Sequence, residues 1–441
     1  VNRLGKLIAA VAAVAVVGTG CGGPDAADGD RSISLLVFGA PEELAAYRTL
    51  ADAYQKAVPG ARLRLIEASD RTDLIARLAT SIAGGSPPDL FLMNYRFYGQ
   101  FAAKNAIEPV DGRLGASSVL DPADFYPEAM AAFQWRGQQL CMPQNVSSLA
   151  VYYNRDLFRR YGVAEPRPGW TWNDLVGTAT ALTRDANGVA VKGSESEGAA
   201  VRPAVHGLGV EPTMVRVAPL IWSNGGEIVD DNRRPTRFTL DTPAAREALR
   251  TFLDLRIAYG VVPTDEEVET EDDESRFSNG RLAMIMTSRR ATATFRTISG
   301  FEWDVAPMPA VESPAGVLHS DAYCITRGAN NVEGAWRFVE FALGREGSQI
   351  MAATGRTVPS NIAVSRTPAF LDPAKPPRNA QVFLDAVPTV RRLPTISTWP
   401  EIEDVTDDIL ENAFYRGDRL DDVIRDIDQQ TRPLFARGEV P

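Results

Sequence analysis

A chain of 441 residues, 44% of them hydrophobic, is long enough to bury a large core and to divide into two domains. Its formal charge of −11 argues against nucleic acid or an anionic membrane surface as the main partner. Two histidines, His206 and His319, and three cysteines give no zinc-ligand spacing, so neither a metal nor a cofactor is expected.

The amino end speaks to location. Arg3 and Lys6 precede an apolar run over residues 7–17. That run is shorter than the roughly 20 residues needed to span a bilayer and suits a secretory leader. Gly18, Thr19 and Gly20 then lead into Cys21. This resembles a bacterial lipoprotein cleavage site, with Gly18 standing where such sites carry a large aliphatic residue. The expectation is a leader at 1–20, lipidation at Cys21 and a polar tether at 21–30. No later stretch approaches membrane-spanning length. Cys141 and Cys324 can pair in an oxidising location, but two buried free thiols are the simpler reading.

Residues 32–38 read as a first strand, followed by Gly39-Ala40-Pro41 and a helix over about 42–57. Leu44, Tyr47, Leu50, Ala51 and Tyr54 fall at helical spacing there. A second strand at 62–67, a helix at 73–83 stopped by Gly84-Gly85-Ser86-Pro87-Pro88, and a short strand at 89–93 follow. This alternation predicts a mostly parallel sheet covered on both faces, with ligands beyond the carboxyl ends of its strands. Residues 38–42 and 94–98 sit at that edge. Beyond about Val146 come a strand at 149–153, a helix at 156–161 and the corner 169–174, where Thr171 and Asp174 have capping-box spacing. The segment 183–204 is polar or small and reads as an irregular loop. Trp222 looks exposed before Gly225-Gly226. The acidic run 265–274 reads as a solvated approach to a helix, since it lacks the central glycine of a calcium loop. A buried strand at 282–286 ends at Thr287-Ser288-Arg289, and Trp336, Phe338, Val339 and Phe341 mark a later packed helix. This second region shows no clean strand–helix repeat.

Several phrases together resemble the family 1 extracellular solute-binding proteins of bacterial ABC importers, in particular the carbohydrate and glycerol-phosphate binders. They are GSPPDLF at 85–91, LCMPQNVSSLAVYYNRDLF at 140–158, WTWNDL at 170–175, WSNGGEI at 222–228, FSNGRLAM at 277–284, PMP at 307–309 and TVPS at 357–360. Each is weak alone, but their order and spacing are specific, and the likeness covers nearly the whole mature chain. It implies an α/β, two-lobe periplasmic-binding-protein-like fold with interleaved lobes and a central ligand cleft. Carried over, lobe 1 holds 31–143 and 320–355, lobe 2 holds 148–309 and 356–441, and 144–147 with 310–319 are hinge segments. It also implies a monomer that closes around its ligand, sits lipid-anchored on the extracytoplasmic side of the cell membrane, and partners transmembrane permease subunits.

A sugar site needs a flat apolar surface for the C–H face of each ring and convergent polar groups for its hydroxyls. Phe38, Gly39 and Glu42 follow the first strand, although the helix start explains Glu42 as well. Tyr95 ends a strand at the predicted edge. Asn145 and Ser147 fall in a predicted hinge, Trp222 and Gly225 in a turn that suits a ring platform, and Ser288 and Arg289 at a strand end. Asp321 and Tyr323 follow the second hinge, Arg356 precedes a third crossing, and Thr395, Ser397 and Trp399 crowd a loop between helices. Arg289 and Arg356 keep a glycerophosphodiester or sugar phosphate open as the ligand. A lipid-anchored carbohydrate-active enzyme is the rival class. Glu401, Glu403 and Asp404 supply carboxylates, but no phrase sets two of them across a glycosidic bond. There is also no nucleophile elbow, phosphate loop or dinucleotide fingerprint. The expectation is a non-catalytic receptor for a mono- or oligosaccharide, including an amino sugar.

Overall fold

In the computed structural model, which describes residues 32–191 and 202–441, Ser32–Phe38 forms the first strand, β1. Ile33, Leu35, Leu36 and Val37 are all buried, as in a strand covered on both faces. The expected leader, Cys21, the tether and residues 192–201 of the polar loop lie outside the described residues. Among those described, no helix is long and apolar enough to cross a membrane.

After β1 come α1 (Pro41–Ala57), β2 (Arg62–Ala68), α2 (Arg71–Ala83), β3 (Leu90–Asn94) and α3 (Tyr95–Ala103). Pro41 opens α1, where its missing N–H costs nothing, and Asp70 caps α2 by accepting from the Asp73 amide. β2 and β3 pair in parallel on either side of β1. The sheet then departs from the expected mostly parallel form. Asp321–Ile325 lies antiparallel on β3, and Cys141–Pro143 lies antiparallel on that strand, giving the order β2, β1, β3, 321–325, 141–143. This register sets Cys324 opposite Cys141, and the two form a disulfide with Cα atoms 4.4 Å apart. The reading as two free thiols is corrected. The cysteines are 183 residues apart in the chain, and only strand pairing brings them within bonding range.

The helix Val332–Leu343 covers this sheet beside α1, with Phe338 edge-on to Tyr54 at 5.2 Å. Such packing commits most of the lobe's aromatic surface to its core.

The second lobe is built on Leu149–Asn154, flanked on both sides by antiparallel strands Met284–Ser288 and Trp303–Ala306. Residues 282–283, read from sequence as the strand's start, lie ahead of it. Leu282 instead bridges His206 from a neighbouring segment. The helices Met214–Ser223, Pro243–Ile257, Trp399–Arg416 and Leu420–Arg437 share one apolar core, in which Trp222, Phe252, Phe414 and Phe435 are buried. Thr171 and Asp174 form the expected capping box, and Trp170 Nε1 donates to the Pro307 carbonyl at 2.8 Å. The acidic run is exposed or half-buried along its length, in keeping with its solvated reading. It makes two short helices, Asp265–Thr270 and Asp273–Ser278, and Asp273 and Glu274 face a cavity.

Between the two sheets, the chain crosses in adjacent extended segments. Ser147 bridges His319, and Asn145 bridges Pro359. The cavity described next lies against these crossings.

Candidate functional site

The cavity has a volume of about 460 Å³ and takes residues from both lobes and from the crossings. It begins where β1 ends. Gly39 has φ near +153°, and a Cβ there would meet Glu43 Cβ at 2.8 Å. The tight turn lets the Ala40 amide donate to Glu43 Oε2 at 2.9 Å. Glu43 is thereby fixed as a buried carboxylate at the cleft wall. Arg356 Nε lies 3.4 Å from its Oε1, and Arg290 reaches Oε2 at 3.3 Å. The Arg356 guanidinium also stacks 5.2 Å above the Tyr47 ring and lies 3.9 Å from Asp321. Asp321 in turn accepts from Asn94 Nδ2 at 3.1 Å, while its amide donates to Asn145 Oδ1 at 2.8 Å. One connected network thus joins α1, β3, a crossing segment and the second lobe.

At the other end, two guanidinium groups lie over the Phe97 ring, Arg71 4.3 Å and Arg96 5.0 Å from its centre. Arg96 forms a buried ion pair with Glu403 on the helix Trp399–Arg416, linking the lobes across the cleft. One turn further on, Asp407 accepts from the Met214 amide at 2.7 Å. Burial, with Glu403 adding, pushes the Asp407 carboxyl up to about 8. Arg216 pairs with Glu211 at 2.7 Å and holds that carboxyl below its usual range. His319 stays neutral, because burial, then Arg216, push its imidazole well below the usual value; its Nε2 has no hydrogen-bond partner.

Of the candidates from sequence, the cavity brings together Phe38, Gly39, Asn145, Ser147, Ser288, Arg289, Asp321 and Arg356. Arg289 needs a qualification. Its guanidinium stacks on Phe370 and Phe383 and donates to the Gly355 carbonyl at 2.9 Å, so its charge is committed to the core.

The other eight lie elsewhere. Glu42 is exposed, and its neighbour Glu43 faces the cleft instead. Tyr95 is fully buried, with its hydroxyl accepting from the Leu393 amide. Tyr323 is buried behind the crossing, bonded to Gln144 Nε2 at 2.6 Å. Trp222 is a core residue with the Arg391 guanidinium 4.8 Å from its ring, and Gly225 turns beside Glu312. Trp399, expected in a loop, begins a helix and packs against Phe238 and Phe435. The Thr395 carbonyl lies where a Cβ on Gly99 of α3 would fall, at 2.5 Å. Ser397 pairs with Glu439 through two hydrogen bonds.

Sequence reading missed Glu43, Asn94, Arg96, Phe97, Glu211, Arg216, His319 and Asp407 as wall residues. For Asn94 and Phe97 the strand-end rule already marked the right stretch, and for Glu43 it came within one residue. No local signal marked Glu211, Arg216 or Asp407. Of the carboxylates weighed for an enzyme, Glu403 and Asp404 line the cleft, whereas Glu401 pairs with Arg437 outside it.

Among the described residues, Phe38 and Phe97 are the only Phe, Tyr or Trp rings on this wall, while six arginines and seven carboxyl residues line it. Arg290 and Arg356 pair with Glu43, Arg356 also with Asp321, Arg96 with Glu403 and Arg216 with Glu211, whereas Arg71, Arg289, Asp70, Asp404 and Asp407 have no ion pair among the described residues. Such a site can hold a small polar molecule by many directed hydrogen bonds rather than by net charge.

The chain is similar to a candidate binding protein of Brucella abortus, 23% identical over 356 residues, which cover 80% of this chain and 81% of that one. Among solved structures it resembles the ABC substrate-binding protein Lmo0181 of Listeria monocytogenes in complex with cycloalternan. That likeness has a TM-score of 0.82 at 24% identity and covers 92% and 99% of the two chains. It also resembles UgpB of Mycobacterium tuberculosis in complex with glycerophosphocholine, with a TM-score of 0.76 at 20% identity over 91% and 98%. These structures share the two-lobe fold. The profile described as bacterial extracellular solute-binding protein matches residues 40–349, and the chain belongs to that family of binding proteins.

Proposed function

We propose that this protein is the substrate-binding component of an ABC importer and that its ligand is a small carbohydrate. The observation that carries the reading is the cleft's balance of charge. Glu43, Asp321, Arg290 and Arg356 form one paired network, and Arg96 and Glu403 another, leaving polar atoms for hydroxyl groups without a strong net field. Carboxylates and guanidinium groups suit adjacent hydroxyls because each offers two parallel hydrogen-bonding positions. Phe38 and Phe97 give the site its apolar surface in place of the expected tryptophan platforms. The Listeria likeness, with its bound cycloalternan, supports a carbohydrate.

The lobes of this receptor comprise 31–143 with 320–355 and 148–309 with 356–441, and they close about the segments 144–147 and 310–319. The leader and Cys21 supply a lipid tether on the outer side of the membrane, from which a monomer delivers its ligand to permease subunits. The disulfide supports such an oxidising location. A second reading, a glycerophosphodiester or sugar phosphate, is favoured by Arg71, which lines the cleft with no carboxylate ion pair among the described residues, and by the likeness to UgpB.

A thermal-shift panel of sugars, amino sugars and phosphodiesters tests these readings, since a ligand that binds only the folded state raises the melting temperature. Stabilisation by phosphodiesters alone would overturn the carbohydrate reading. For the ligand so found, Asp321→Ala is expected to weaken binding roughly tenfold or more, the loss of a charge-assisted hydrogen bond. Unchanged affinity by calorimetry would remove Asp321 from the site.

A further inference from the structure

The two lobes are tied across the cleft by ion pairs made from the chain's own side chains. Arg96, in the first turn of α3, pairs with Glu403 on the helix Trp399–Arg416, and the two side chains are only 7% and 3% exposed. Both line the cleft. A second pair sits at the Glu43 end. Arg290, which follows the strand Met284–Ser288 of the second lobe, reaches Glu43 Oε2 of α1 at 3.3 Å.

The pairs differ in what each partner keeps if the lobes part. Arg290 also holds Glu274 of its own lobe at 2.8 Å, and Glu43 keeps the Ala40 amide at 2.9 Å. Arg96 keeps Asn94 Oδ1, to which its Nε donates at 3.3 Å, and the Phe97 ring. Glu403 has no second partner among the described residues. Its Oε1 accepts from Arg96, and its buried Oε2 has no donor. Closure gives this carboxylate a guanidinium in a poorly solvated wall, where attraction is stronger than in water. Opening gives both of its oxygens water. Pairing and desolvation oppose each other in such a buried pair, and that opposition makes the contact reversible.

We propose that Arg96 and Glu403 form a latch that holds the lobes closed before any solute binds, with Arg290 and Glu43 as a weaker second clasp. This rests on the binding-protein reading and adds a regulation of the same cleft. A solute enters only while the latch is open, so the latch slows association in proportion to the time spent closed. Removing one partner leaves the other charge buried and uncompensated for as long as the lobes stay together. A variant that lacks one partner relieves this by opening.

Small-angle X-ray scattering of the full chain, with no solute added, tests the latch. The parent is expected to scatter as the closed structure does. Glu403→Gln keeps the side chain's shape and should shift the radius of gyration upward at unchanged circular dichroism. Arg96→Gln removes the other partner, should give the same shift, and keeps the test readable if Glu403→Gln folds poorly. Glu401→Gln, on the same helix but paired with Arg437 outside the cleft, should stay at the parent value. A parent already expanded without solute overturns the latch. So do pair variants that stay at the parent value, or a shift that Glu401→Gln shares. If a sugar or phosphodiester still raises the parent's melting temperature in that case, the receptor reading stands and only the latch falls.

Discussion

The first lobe is a five-stranded sheet stiffened by aromatic packing and by a disulfide across two of its strands. The second has a three-stranded sheet under several helices, and those helices and their loops carry Glu211, Asp273, Glu403 and Asp407 to the cavity walls. Both lobes contribute charge to the cleft, but they pay for order differently. In the first, order comes from strand register and covalent linkage. In the second, it comes from a helical apolar core that must tolerate carboxyl groups close by. The difference teaches where each lobe is vulnerable.

The largest expected effect tests the helical core. Trp399 is fully buried among Phe238 and Phe435, so Trp399→Ala should cost about 3–5 kcal/mol in denaturant unfolding. A loss below about 1 kcal/mol would mean that this core does not hold the second lobe together. Next, Cys141→Ser/Cys324→Ser should lower stability by about 2–5 kcal/mol, because the bond closes a long loop in the unfolded chain. Equal melting of the variant and the parent under oxidising conditions would show that strand pairing alone suffices.

The smallest effect is a pH slope that belongs to the second lobe. Asp273 and Asp407 hold their protons up to about 7 and about 8, whereas unfolded carboxylates have lost theirs. The native state therefore binds more protons, and its stability falls as pH rises toward those values. His206, lowered to about 4, and His319, lowered well below its usual value, oppose the trend only until their unfolded imidazoles lose their protons around 6.5, and above about 7.5 they are neutral in both states. Each group contributes at most about 1.4 kcal/mol per pH unit there. Asp407→Asn should flatten the slope of stability against pH, and an unchanged slope would assign it elsewhere.

What could be read in the sequence follows the same division. Periodicity located β1 to β3 and their helices because each buries a local pattern of side chains. It could not place 321–325 beside β3 or 141–143 beside 321–325, since those pairings join distant segments, and the disulfide was missed for the same reason. At the cleft, residues beside strand ends and crossings, such as Phe38, Asn145 and Asp321, were legible from the sheet rule and the family resemblance. Trp222 and Trp399 were misplaced because an aromatic residue near a turn or a helix boundary looks the same in sequence whether it faces a ligand or a core. Arg96 and Glu403 are 307 positions apart, and no spacing rule joins them.

The disulfide also bears on mechanics. Cys141 lies just before the crossing at 144–147, and Cys324 lies just after the one that returns through His319. Gln144, next along, accepts from the Tyr47 hydroxyl at 3.1 Å and donates to Tyr323 at 2.6 Å. The two crossing segments are thus riveted together at their root in the first lobe, so they cannot slide lengthwise past each other. In the proposed closure, relative motion of the lobes would be left with bending and twisting of the short spans beyond the rivet, as in a door whose hinge plates are bolted to only one frame.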